Sequence, residues 1–350
     1  MPRLAIVGAG ICGLLTAYTA FKNGFEVIVY EAEREVGRGA SRFNSGVIHV
    51  LQPPFNSLKS KLCIEGNRMY RGLSEEIGFK IRYMKAYLVY TGIFGKIASP
   101  IATYYLRSKG FRVRKVGRKE VKESCKHISN DIKGGVEVDG YAVVEPLEVL
   151  NRLYRRLSEE GIEFRLGDRV EKIEINNKVT VLNRSGEDEY DYIVISAGSD
   201  TRRVASYIDD NIPRQRLALG VIAATRLECD AIIARLEIFS RDKYTKGGGI
   251  IPSVKKGVTL FGPDFHWIEK PINSYLGEED GLKVVKLYLD LIDTQPELIE
   301  VYGGTRVINW PVDDFIIKFL YDKVAILYGI DSPGFTAAPA IADMVINKFR

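Results

Sequence analysis

The chain has 350 residues, 46% of them hydrophobic and 27% charged, with a formal net charge of +5, the make-up of a globular protein with a large core. The basic excess is spread without a long Lys/Arg block, which argues against nucleic acid as a partner and leaves small anions as suitable ones. Cys12, Cys63, Cys125 and Cys229 form no CxxC pair, so zinc and a disulfide scaffold are not expected and a reducing cytoplasm is the default compartment.

At the N-terminus, "RLAIVGAGICGLLTAYTAFKNGFEVIVYEAE" reads as strand, tight turn, helix and strand. Leu4 to Val7 is a buried-strand run, the helix begins near Ile11, and Asn23-Gly24 ends it before "EVIVYE". The glycine interruptions and the folded pattern that follows argue against a signal peptide. No run of about 18 apolar residues occurs elsewhere, so no membrane-spanning helix is expected.

Gly8, Gly10 and Gly13 form a GxGxxG pattern. The first permits the turn, the second admits a pyrophosphate against bare backbone, and the third lets helix and strand pack closely. The unpaired N–H groups from Ile11 and Cys12 onward then point at an anion. Glu31 ends the second strand eighteen residues after Gly13, where its carboxylate can accept from ribose hydroxyls. Dinucleotide binding follows, without a choice between NAD and FAD.

A Gly/Arg/Ser-rich loop, "AEREVGRGASRFNSGVIHV", stands where a nicotinamide-binding unit would place a crossover helix. With that loop the chain resembles the D-amino-acid oxidase/glycerol-3-phosphate dehydrogenase superfamily of FAD oxidoreductases. The resemblance implies non-covalent FAD, bound by the glycine turn, Glu31, Ala32, Arg38, Ser41, Arg42, Asn44, Ser45, Gly46 and Val47. It also implies an α/β fold in which a Rossmann-like FAD domain of the glutathione-reductase type, residues 1–83, 143–210 and 305–350, is interrupted by a substrate domain, residues 84–142 and 211–304. The latter is expected on a mostly antiparallel sheet, since "GVIAATRLE" and "GVTLFGPDF" have strand patterns.

Two later segments extend the resemblance. An amphipathic helix from about Pro146 leads through strands to "YIVISAGSDT", which implies Arg169 and Val170 at the adenine and a cofactor-side turn at Ala197 and Gly198. At the C-terminus "KVAILYGIDSPGFTAAPAIADMVINKF" runs strand, loop, helix. Gly329, Ser332, Gly334, Phe335 and Thr336 are thereby implied beside the flavin, where main-chain N–H groups favour negative charge.

"NSGVIHV" followed by "SLKSKLCIEGNRMY" is most similar to the L-2-hydroxyglutarate oxidase/dehydrogenase group. That implies an L-2-hydroxy acid substrate ahead of glycerol 3-phosphate, with an amino or imino acid as the further alternative. Oxygen, a quinone or another carrier would accept the electrons. The chain departs from the group after His49, where "VLQPPF" replaces a Gly/aromatic stretch beside the substrate.

His49 is the expected general base, because imidazole titrates near neutral pH, and Arg306 the expected anion clamp, because guanidinium grips acidic oxygens in a bidentate way. Lys59 is expected at the cofactor phosphates, at the substrate or in solvent. Tyr87, Tyr90, Tyr244 and Trp310 are candidate pocket walls, with core packing the alternative for aromatics in sheet-like segments. Asp313 and Asp314 are expected to cap a turn. His127 and His266 have no second ligand at metal spacing, so no metal site is expected. The compartment implied is the cytoplasm, with peripheral contact on the inner membrane face compatible.

Overall fold

The computed structural model describes residues 1–236 and 248–350. Its helices are α1 (Ile11–Lys22), α2 (Leu58–Ile77), α3 (Ile93–Ser108), α4 (Arg118–Ser124), α5 (Pro146–Glu159), α6 (Thr201–Ala205), α7 (Glu278–Lys286) and α8 (Gly334–Phe349). A six-stranded sheet has the order Ile316–Leu320, Val324–Tyr328, Tyr192–Ile195, Arg3–Val7, Glu26–Glu31, Glu163–Leu166. Its strands are parallel except the first, which pairs antiparallel.

Such a sheet must be covered on both faces, which explains why its central strands, Val324–Tyr328, Tyr192–Ile195, Arg3–Val7 and Glu26–Glu31, are rich in Val, Ile and Leu. On one face lie α1, α5 and α8. In α5, Val149, Leu150, Leu153 and Leu157 form the buried stripe, a helical period read directly from sequence. The other face meets the meander Lys172–Ile175, Val179–Asn183 and Gly186–Tyr190 through Val170, Ile173, Val179 and Val181.

An eleven-stranded, mostly antiparallel sheet forms the second layer system. Its longest pairing joins Gln215–Arg226 to Glu297–Asn309, with Ala218 opposite Arg306. Val47–Ile48 sits at one edge, against Val143 and Ala142. The short strand that precedes His49 therefore belongs to this second sheet.

No disulfide scaffold is expected from the cysteine spacing, and the structure has one bridge, between Cys125 and Cys229 across a sequence separation of 104 residues. The bridge ties the end of α4 to the turn after Gln215–Arg226, and both residues are buried in the core beneath the large sheet. Spacing rules find local cysteine pairs and miss partners brought together only by the fold. Replacing Cys125 and Cys229 by serine is expected to lower the unfolding free energy by about 2–4 kcal/mol. Denaturant titration of the oxidised protein against the double variant checks this, and equal midpoints would remove the bridge as a stabiliser.

Candidate active site

The N-terminal turn is built as its glycines require. Gly8 has φ of 103°, and a Cβ there would sit 2.6 Å from the Ser196 carbonyl oxygen. At Gly13 it would lie 1.8 Å from the Gly8 carbonyl oxygen, so only glycine lets helix and strand close. Gly10, by contrast, is hindered only by Ser41 Oγ, at 3.1 Å, and leaves room on its backbone. The Ile11 N–H donates to Ser41 Oγ at 3.0 Å, which joins the Arg/Ser loop to the start of α1. Cys12 contributes only backbone here, since burial pushes its thiol up to about 12.

Glu31 accepts from the Ala9 N–H at 2.8 Å and from the Glu33 N–H at 2.9 Å. Burial pushes this carboxyl up, while those N–H groups and that of Ala32 pull it down. In the loop beyond, Asn44 Oδ1 accepts from the Gly46 N–H at 2.8 Å and its Nδ2 donates to the Ser41 carbonyl at 2.7 Å. Asn44 therefore shapes the turn through Ser45. Gly46 has φ of 66°, and a Cβ there would strike the Val144 carbonyl. Arg42 and the half-exposed Arg38 both approach the Glu35 carboxylate at 3.6 Å, and Arg42 Nε is buried with no hydrogen-bond partner among the described residues.

These features fit FAD: a bare glycine turn, the first N–H groups of a helix, a carboxylate at the strand end, and a buried guanidinium nitrogen lacking an acceptor. Of the other residues expected at the cofactor, Val170 is buried and its carbonyl accepts from Arg203, while the exposed Arg169 pairs with Asp200 at 2.8 Å. Ala197 passes close to Gly8, and Gly198 takes φ of 58°.

The C-terminal loop closes the other side. Gly329 has φ of 64° and rests on Asn309, whose Nδ2 donates to the Tyr328 carbonyl at 3.0 Å. Beyond it the Ser332-Pro333 bond is cis, and α8 begins at Gly334. Phe335 stacks on Tyr70, whose hydroxyl donates to the Phe335 carbonyl. The fully buried Thr336 Oγ1 accepts from the His49 N–H at 3.1 Å and donates to the Val47 carbonyl at 3.2 Å. Asn67 Nδ2 donates to the His49 carbonyl at 3.0 Å. His49 is thus pinned on both sides of its backbone by α8 and α2, with its half-buried ring edge-on to Tyr141.

Arg306 is half-buried on the strand Glu297–Asn309. Two residues earlier, and so on the same face, a Cβ at Gly304 would lie 2.3 Å from the Phe43 carbonyl oxygen. The strand therefore touches the Arg/Ser loop just beside Arg306. Its Nη1 has no hydrogen-bond partner among the described residues. Burial pulls the guanidinium below its usual pKa, against the raising charges of Asp331, Asp264 and Asp313.

Lys59 corrects an expectation. It is 1% exposed and paired with both Asp313 and Asp331, so it is neither in solvent nor available to phosphate or substrate. Burial alone would lower its ammonium, but the charges of Asp331 and then Asp313 hold it above its usual value. Asp314 does cap, though from a distance: its carboxylate accepts from the Leu58 and Lys59 N–H groups that open α2. Asp331 was not foreseen, and its only sequence signal is its place in "IDSPGF" beside the glycine loop.

Of its two readings, Tyr87 has core packing in the structure. It is 3% exposed, and its hydroxyl lies 3.3 Å from Ser124 Oγ. Tyr90 is buried too, and Tyr244 lies outside the described residues. The Arg216 guanidinium lies 3.8 Å from the Trp267 ring centre and 4.8 Å from that of Trp310, and the two rings meet edge-on. His266 is not alone, since its Nε2 meets Asp264 Oδ2 at 2.6 Å. Among the described residues no group of three His, Cys, Asp or Glu could hold a metal. A surface cleft of about 570 Å³ beside Arg202, Arg216 and Trp267 is lined by neither His49 nor Arg306.

Comparison with known proteins agrees with this geometry. The family model described as FAD dependent oxidoreductase matches residues 3–348. A glycerol 3-phosphate dehydrogenase of Caloramator mitchellensis is 26% identical over 365 residues, covering 99% of this chain and 73% of that protein. A mitochondrial L-2-hydroxyglutarate dehydrogenase of Arabidopsis thaliana is 24% identical over 412 residues, covering 98% and 82%. Among solved structures, the dithionite-reduced, FAD-bound L-alpha-glycerophosphate oxidase of Mycoplasma pneumoniae superimposes with a TM-score of 0.88 at 18% identity, covering 100% of this chain and 95% of that one. This last is a likeness of fold.

Proposed function

Since the chain belongs to the FAD-dependent oxidoreductase family, we propose that it oxidises a small anionic secondary alcohol, an L-2-hydroxy acid, to the corresponding 2-oxo acid. The observation that carries this reading is the buried Arg306 Nη1, left without a partner among the described residues. A buried donor of this kind is costly unless an anion completes it. One guanidinium fork matches one carboxylate. A phosphate dianion would bring a second charge toward Asp331 and Asp313, the acids that already hold Lys59, and this favours the carboxylate.

FAD supplies the acceptor for the hydride that leaves the hydroxyl-bearing carbon. The protein's own work is to hold the carboxylate at Arg306, take the hydroxyl proton on the His49 ring, and keep that ring in place through Thr336 and Asn67. The proposed FAD-side groups are the Gly8–Gly13 turn, Glu31, Arg42 and the Gly329–Thr336 loop. A second reading, glycerol 3-phosphate, is favoured by the 26% identity to a glycerol 3-phosphate dehydrogenase over 99% of the chain.

Replacing His49 by alanine is expected to slow anaerobic flavin reduction by L-2-hydroxyglutarate about 100-fold, with FAD content unchanged. Stopped-flow absorbance checks it. A reduction rate equal to that of the parent would remove His49 from the chemistry.

A further inference from the structure

The helix α3 is built inside out. Its inward residues are small or polar, with Ser99 and Thr103 buried beside Leu106, and Gly95 is pressed so close to Tyr90 that a Cβ would lie 2.2 Å from the tyrosine Cβ. Its large apolar side chains face outward: Ile93 is 69% exposed, Phe94 84%, Ile97 63%, Ile101 67% and Tyr104 77%. They recur at spacings of three and four residues and so form one stripe. Scattered exposed apolar residues are ordinary, but a contiguous stripe of this kind marks a surface that meets something.

Charge says what it meets. From Lys80 to Lys119 the sequence has eleven Lys or Arg residues and no Asp or Glu. Arg82, Lys85, Arg112 and Arg114 pair with acids from elsewhere in the chain. Lys96, Lys109, Lys115 and Lys119 are exposed and have no ion-pair partner among the described residues. A second copy of the same face would bring like charges together, which disfavours self-association. A solvated nucleic-acid backbone would match the cations but leave the Ile and Phe stripe in water.

We propose that this face docks on an anionic phospholipid bilayer. The apolar stripe of α3 enters the headgroup boundary while the surrounding lysines meet lipid phosphates. No helix among the described residues is long and apolar enough to cross a membrane, so the attachment is peripheral. The face adjoins the loop beyond His49, because Phe55 of "VLQPPF" packs on Tyr105 at 6.0 Å and on Phe111 at 5.2 Å between ring centres.

The test is cosedimentation of the full FAD-loaded protein with vesicles of 30% phosphatidylglycerol in phosphatidylcholine, and with pure phosphatidylcholine vesicles. The parent is expected to pellet with the first, at least tenfold more than with the second, and to be released by about 0.5 M salt. Ile97→Asp with Ile101→Asp is expected to cut the bound fraction tenfold or more. Lys96→Glu with Lys109→Glu is expected to do the same, both with FAD content and flavin reduction by substrate unchanged. A parent that stays in the supernatant overturns the proposal, as does equal pelleting of the Ile97→Asp/Ile101→Asp variant. Binding of duplex DNA in place of vesicles, or a dimer that this variant dissolves, overturns it in favour of those partners.

Discussion

Replacing Arg306 by alanine is expected to raise the substrate concentration for half-saturation about 100-fold or more, with FAD content unchanged. The guanidinium Nη1 is buried and lacks a partner among the described residues, and the acids nearest in charge effect, Asp331, Asp264 and Asp313, repel an anion once the cation is gone. Truncating one member of a desolvated charge pair costs about 2–5 kcal/mol, and each 1.4 kcal/mol is about tenfold. Arg306→Lys keeps the charge but loses the planar fork, so it is expected to fall between alanine and the parent. Steady-state kinetics on the three proteins decides the matter, and an unaltered half-saturation would exclude Arg306 as the clamp.

The largest expected effect on stability comes from Lys59. In Lys59→Met the volume is roughly kept, but Asp331 and Asp313 lose the ammonium that both pair with. Breaking a buried pair from one side costs about 3–5 kcal/mol, because the remaining charge is left in a poor solvent. The Asp331 side chain is 0% exposed, so solvent screening relieves little of this. Adding Asp331→Asn and Asp313→Asn to Lys59→Met is expected to recover most of the loss. Urea titrations of the single and triple variants test the coupling, and equal midpoints for single variant and parent would contradict it. The pH dependence has a definite sign. The Lys59 ammonium is held above its usual range, so its contribution is complete below the unfolded lysine value of about 10.4 and fades only as pH rises through the higher folded value.

What could be read from the sequence was what is local. Gly8, Gly10, Gly13 and Glu31 lie within one strand–helix–strand unit, and the helical stripe of α5 and the glycine loop before α8 are equally short-range patterns. What could not be read depends on the chain meeting itself. Lys59 and Asp331 are 272 residues apart, and nothing beside either residue announces the other. The Cys125–Cys229 bridge was hidden for the same reason. Tyr87 could be pocket wall or core, because an aromatic in a strand fits either face, and only the position of α4 decides for core.

Arg306 shows the intermediate case. Its residue type and place were legible in "GGTRVINWP", but the unsatisfied Nη1 that makes it a candidate clamp appears only once the strand is packed against Gly220 and the loop at Phe43. Helix α3 teaches the converse. Ile93, Ile97 and Ile101 at helical spacing have the pattern of a core face, and the burial of Ser99 and Thr103 instead turns that face outward.

The measurement that bears most directly on the proposed activity is the absorbance of the bound flavin under anaerobic conditions as candidate substrates are added singly. A yellow protein that bleaches with L-2-hydroxyglutarate, and does so more readily than with glycerol 3-phosphate or any amino acid, is the expected result. Bleaching by glycerol 3-phosphate alone, or by an amino acid alone, would contradict it.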